Sequence, residues 1–181
     1  VVSTCNEVLL MRHLLRKSTD RRERAYLINH FLDQFKGTVY RQTMFAEFER
    51  ELGRMAERGE TLTADALGEK YLALNRLYFG PDMISDAQIA LEWARIPHFY
   101  YNYYVFQYAT GFSAAVALAD RILREGESAV ADYKRFLSGG SSTDPISLLK
   151  LAGVDMSTPA PVDAALAMFG ELVDELDALT R

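Results

Sequence analysis

The chain has 181 residues, 49% of them hydrophobic and 25% charged, with a net charge of −5. That composition fits one globular unit with a sizeable core and rules out a disordered segment; the acidic balance offers no basic footprint for nucleic acid and no pull toward an anionic membrane surface. A lone Cys5 leaves no internal disulfide framework and fits a reducing, cytoplasmic setting, while no apolar run approaches bilayer length and no signal peptide is visible.

Read in order, the residues predict helix after helix. Val1, Val2, Cys5, Val8, Leu9 and Met11 are already in helical rhythm without a leading Met, so the first helix, about 1–17, reads as one entered partway. Its closing Arg16 and Lys17 suit the negative end of a helix dipole. Asp20 can cap a second helix that runs to Lys36, with Gly37 as its stop and Tyr26, Leu27, His30, Phe31, Gln34 and Phe35 on its apolar side. Thr38 is placed to cap a third, closed by Gly59, with Met44, Phe45, Phe48, Leu52 and Met55 in period. Thr63 opens a fourth, halted by Gly80-Pro81.

Residues 82–86 read as a polar loop, followed by a short helix from about Asp86. A long aromatic helix is then expected from Pro97 to Arg124, since proline's fixed φ suits a first helical turn. Its small residues Gly111, Ser113, Ala114, Ala115, Ala117 and Ala119 would let another helix approach closely. Gly126 ends it, and helices over 127–137, from Asp144-Pro145 to about Ala152, and over 161–179 complete the chain. The last is amphipathic, with Leu166, Phe169, Leu172, Val173, Leu176 and Leu179 on its buried side. There is no strand, no repeat and no linker long enough to divide the chain. The fold class is all-α, in one unit.

Chemistry concentrates between Glu92 and Gly111, which holds the only Trp, His98 and five of the ten Tyr. On a continuous helix, Tyr101, Tyr104 and Tyr108 share one face, with Tyr100 beside it. Aromatic stripes at that spacing commonly form core. A file of phenol hydroxyls beside an imidazole also suits a site that donates hydrogen bonds to a carbonyl or a developing oxyanion. Both readings stand at this point.

Other chemistry is sparse. His13, His30 and His98 are far apart and no HExxH or CxxC is present, so no metal ligands are assigned; His30 with Asp33 reads as a structural contact. Gly139-Gly140 lacks the Lys and the strand of a phosphate loop. The carboxylates from Glu171 to Asp177 read as a solvated face. Glu47, set among bulky apolar residues, is expected in a structural ion pair with Arg41 or Arg95.

Four segments together carry a resemblance: Thr38-Val-Tyr-Arg-Gln-Thr-Met-Phe-Ala-Glu-Phe-Glu, Glu92-Trp-Ala-Arg-Ile-Pro-His-Phe-Tyr, Gln107-Tyr-Ala-Thr-Gly and Leu151-Ala-Gly-Val-Asp-Met. In order and spacing they resemble oligoendopeptidase F, a branch of the thimet-type zinc metallopeptidases. The resemblance implies a mostly helical enzyme with a channel for short peptides and one zinc, held by two His of an HExxH helix and a later Glu. That Glu lies just before a Ser-Thr-x-Asn-Glu segment, which Ser3-Thr4-Cys5-Asn6-Glu7 matches. The chain therefore looks like the C-terminal part of the catalytic domain, without the zinc ligands and inactive alone, with zinc only in the longer parent.

By the same resemblance, His98 matches a substrate-binding and oxyanion-stabilising His, Tyr108 the late Tyr, and Tyr101 or Tyr100 the earlier one. His98, Tyr101 and Tyr108 are thus the expected catalytic residues and Tyr100 and Tyr104 the expected substrate contacts. Phe106 stands where the family commonly carries Tyr and lacks the hydroxyl. The expected partners are short peptides, with no nucleic acid and no membrane. A cut domain would also expose an apolar face on the first or the aromatic helix, through which it could dimerise. The alternative function is a stand-alone helical module whose tyrosine-rich face binds a peptide or protein.

Overall fold

The computed structural model describes residues 1–181, with eight α-helices, one π-helical turn, two 3-10 segments and no strand. The helices are α1 (Val2–Lys17), α2 (Arg21–Phe35), α3 (Arg41–Glu57), α4 (Ala64–Phe79), α5 (Phe106–Glu125), α6 (Glu127–Ser138), α7 (Pro145–Leu151) and α8 (Ala160–Thr180). The all-α expectation holds. Contacts gather into two compact units, Val1–Lys36 with Thr110–Arg181, and Gly37–Ala109. No linker marks the borders: one falls at the π-helical turn Lys36–Tyr40, the other inside α5.

The caps follow from side chains that reach back to orphan N–H groups. Asp20 accepts from the N–H of Arg22 and Glu23, Thr63 from that of Ala66, and Asp144 from that of Ser147. Gly37 does not stop the second helix. The chain winds through it as a π-turn and passes straight into α3, so Thr38 caps nothing.

The first unit packs α2 against α8 and α1, and α6 against α7. The α1 residues Cys5, Val8, Met11 and Leu15 recur every three or four positions and form its buried stripe. Phe35 is fully buried, its ring centroid 4.8 Å from that of Phe112, 5.2 Å from Phe31 and 5.6 Å from Phe169. Ser113, Ala114, Ala115 and Ala119 are buried too, as small residues at a close helix approach must be. The faces of two helices differ from expectation. Tyr26 and His30 point outward from α2 while Ile28 is buried, and on α8 Ala165 and Met168 are buried while Leu166 and Val173 are exposed. In each case the buried arc is turned by about one residue from the one that bulky side chains alone suggest. On α1, Leu10 and Leu14 remain exposed.

The second unit is built on α3 and α4, with a 3-10 segment, Ala87–Arg95, laid along α4. Its core is Met44, Phe45, Phe48, Leu67, Tyr71, Leu74, Ile96 and Val105, with Trp93 and Phe99 packed against it. Phe48 stands at the centre, 5.2 Å from the rings of both Tyr71 and Phe99 and 6.5 Å from Trp93. Burying one such ring contributes about 1.5–3 kcal/mol.

Candidate functional site

The aromatic stretch is not one helix. Pro97–Tyr100 forms a 3-10 turn, residues 101–103 bend, and α5 starts only at Phe106. The break lies at Asn102 and Tyr103, whose φ values of 51° and 60° place both in the left-handed region. Asparagine visits that region readily and tyrosine does not, so the turn must be held from outside.

The break does not scatter the site residues. His98 has its ring centroid 5.8 Å from each of Tyr101, Tyr104 and Tyr108, stacked on Tyr104 and edge-on to the other two. Tyr104 in turn meets Tyr101 at 6.2 Å and Tyr108 at 5.4 Å. The Tyr108 hydroxyl lies 3.3 Å from His98 Nε2. A hydrogen bond with Tyr104, then burial, raises the Tyr108 pKa above that of an ordinary tyrosine, so it keeps its proton and can donate it in a hydrogen bond. The expected stripe is therefore a folded cluster of one imidazole and three phenols, open to solvent. Tyr100 makes no ring contact with it and is 74% exposed.

Three carboxylates on the second unit need comment, and sequence reasoning placed only one. Glu47 pairs with Arg50 at 2.8 Å and accepts from the Tyr78 hydroxyl at 2.9 Å. Burial, then the hydrogen bond to Glu47, pushes the Tyr78 pKa up to about 12. The expected partners Arg41 and Arg95 are taken by Glu92 instead. Glu92 is buried, accepts from Arg41 Nη2 at 2.7 Å and from the Tyr71 hydroxyl at 2.6 Å, and also pairs with Arg95. Burial alone would raise the Glu92 pKa, but the hydrogen bonds from Tyr71 and Arg41 and the two guanidinium charges bring it below the ordinary value. Arg41 also lies over the Phe45 ring, 4.7 Å from its centroid.

Glu49, also buried, went unnoticed because its partners are backbone groups. Its Oε1 accepts the N–H of Tyr103 at 3.2 Å, and the carboxylate also accepts that of Val105. The available signal was its place on α3, four residues after the buried Phe45 and four before Gly53, on one inward face of the helix.

No group of three or more His, Cys, Asp or Glu side chains comes together that could hold an ion. His30 meets Gln34 across a helical turn at 3.5 Å rather than Asp33.

An all-helical chain with an imidazole–phenol cluster set on a broken helix has clear kin. The model of Peptidase family M3 matches residues 1–168, and the chain belongs to that family. Among its relatives, oligopeptidase PepF of Bacillus subtilis (strain 168) is 55% identical over 179 residues, which is 99% of this chain and 27% of that protein. The plasmid oligoendopeptidase F of Lactococcus lactis subsp. cremoris is 44% identical over 181 residues, 100% of this chain and 30% of the relative. The crystal structure of oligoendopeptidase-F from Enterococcus faecium matches with a TM-score of 0.95 at 49% identity, covering 98% of this chain and 34% of that one. The chain thus spans about a third or less of the length of these relatives. Family M3 enzymes are zinc-dependent in general, and the residues of this chain do not by themselves fit a zinc. No helix is long and apolar enough to cross a membrane.

Proposed function

We propose that the chain is the substrate-facing helical part of an oligopeptidase that hydrolyses short peptides in the cytoplasm. The observation that carries this reading is the contact of Tyr108 with His98 inside an exposed cluster of hydroxyls. A peptide carbonyl laid against the cluster would meet the Tyr108 hydroxyl, which stays protonated and donates a hydrogen bond. As the carbonyl becomes tetrahedral its oxygen gains charge, and that hydrogen bond strengthens in the transition state. His98, edge-on to Tyr101 and Tyr108, orients the Tyr108 hydroxyl and offers a second polar contact. Tyr101 and Tyr104 wall the cluster, and the exposed Tyr100 contacts substrate further out. The metal belongs to residues that this chain does not supply, so the isolated chain is expected to be inactive.

The experiment is kinetic. In the peptidase that carries this chain, Tyr108→Phe and His98→Ala should each lower kcat on a short peptide by roughly 100-fold, the scale of losing one oxyanion donor. Bound zinc should stay unchanged. Wild-type kcat in both variants would remove the pair from the mechanism, and robust turnover by the isolated 181-residue chain with added zinc would overturn the inactive-part reading.

A further inference from the structure

We propose that Glu49 and Gly53, one turn apart on α3, are positioning residues that clamp Tyr103 and so hold the broken turn that presents Tyr101 and Tyr104 to His98. Its consequence for turnover rests on the functional reading above; its structural content does not.

The turn needs a clamp. Two consecutive non-glycine residues, Asn102 and Tyr103, are left-handed, a conformation that an aromatic residue adopts only when its surroundings impose it. Glu49 supplies one half. Its carboxylate is buried and forms no salt bridge with Arg or Lys; it gains the N–H of Tyr103 at 3.2 Å and that of Val105, with a weaker charge attraction to His98. The uncharged Gly53→Ala is therefore the variant whose effect on the His98 resonance reports the turn alone. Two backbone N–H groups turned toward one carboxylate form a small anion nest, which the extended or helical alternatives of this turn would not offer. Gly53 supplies the other half. A methyl group built there would collide with the Tyr103 hydroxyl, so the missing side chain is what lets the phenol lie against α3.

Tyr103 has no ring contact with His98; the residues on either side of it, Tyr101 and Tyr104, each do. Tyr103 is therefore the anchor and its neighbours are the cargo. Val105, fully buried, fixes the far end of the turn. With both ends held, the angles at 102 and 103 decide where the two phenols meet the imidazole.

The test uses the peptidase that carries this chain, in the variants Glu49→Ala, Glu49→Gln, Gly53→Ala and Tyr103→Phe. The readouts are kcat and KM on a short peptide, thermal midpoint, and the His98 ring resonance in protein labelled at histidine Cε1, assigned with His98→Ala. Glu49→Ala and Gly53→Ala should shift the His98 resonance and lower kcat by roughly 10- to 100-fold, the cost of misplacing a catalytic group by about an ångström, with KM nearly unchanged. Glu49→Gln keeps one acceptor oxygen and should fall between Glu49→Ala and wild type. Tyr103→Phe keeps the ring in its slot and should behave as wild type. A Gly153→Ala control, which strains the first unit only, should lower the midpoint without moving the resonance. If Glu49→Ala does not fold, Gly53→Ala, which changes no charge near His98, still decides the matter.

An unmoved His98 resonance and wild-type kcat in Gly53→Ala and Glu49→Gln would overturn the clamp while leaving the functional reading intact. If His98→Ala itself leaves kcat unchanged, the functional reading falls, and a shifted resonance in Gly53→Ala still upholds the clamp.

Discussion

The Tyr108 hydroxyl reaches His98 Nε2 at 3.3 Å although ten positions and a broken helix separate the two residues. On a straight helix, residues ten apart lie nearly three turns, about 15 Å, from one another. The left-handed step at Asn102 and Tyr103 brings them together. The break thus gathers into one cluster the phenols that a continuous stripe of tyrosines would only have lined up.

Tyr104 is the first cause of the raised Tyr108 pKa, ahead of burial. In Tyr104→Phe that hydrogen bond is lost, so Tyr108 should titrate nearer the ordinary tyrosine value of 10.0. Carbon-13 shifts of labelled tyrosine Cζ against pH check this. An unchanged Tyr108 titration would show that the two hydroxyls do not interact.

Glu92 should govern the acid stability of the second unit. Its pKa is lowered in the fold below the ordinary 4.5, so its stabilising contribution is present above that value and is lost as pH falls through the lowered one. Trp93, the only tryptophan, reports this unit by fluorescence. Glu92→Ala should cost about 3 kcal/mol, because the half-buried Arg41 guanidinium and the buried Tyr71 hydroxyl are left without their acceptor. Glu92→Gln should cost less and flatten the loss of stability as pH falls below the ordinary carboxylate value of 4.5.

Phe48 touches Tyr71, Phe99 and Trp93 and is fully buried. Phe48→Ala should destabilise by about 3–5 kcal/mol, the usual cost of a large cavity. Denaturant titration followed at Trp93 measures it, and a loss under about 1 kcal/mol would mean that the core collapses onto the gap.

Gly153 combines two constraints. Its φ is 76°, and a methyl there would meet the Arg121 guanidinium, which is held by Asp132 at 2.7 Å, Glu125 at 2.9 Å and the Ala152 carbonyl at 2.6 Å. Gly153→Ala should therefore cost about 1–3 kcal/mol. Arg121→Ala in the same background removes the collision and should reduce the added cost of the methyl group, as a double-mutant cycle would show.

Much of the fold is legible because local chemistry states it. Asp20, Thr63 and Asp144 are followed by N–H groups that need an acceptor, and Gly126, at φ 68°, adopts an angle that costs other residues. The stop at Gly37 misleads because nothing in a lone glycine distinguishes a helix end from a π-turn that α3 can extend. The break at 102–103 hides for a related reason: Tyr-Tyr-Asn-Tyr-Tyr holds no Gly or Pro, and its only local hint is Asn102. What breaks the helix is Glu49, more than fifty positions away, a tertiary contact that no window of sequence contains. Glu92 is the same kind of case, since Arg41 and Tyr71 lie on other elements. The resemblance reaches the imidazole and the phenols by matching segments, and only the folded turn explains how they meet.

The central claim is that the Tyr108 hydroxyl binds the transition state more tightly than the substrate. It is tested most directly by comparing Tyr108→Phe with wild type, in the intact peptidase, for the KM of a short peptide and the affinity of a phosphinic analogue of its tetrahedral intermediate. The account predicts that the analogue weakens by roughly 100-fold while KM moves less than about threefold. Equal changes in both, or none in either, would contradict it.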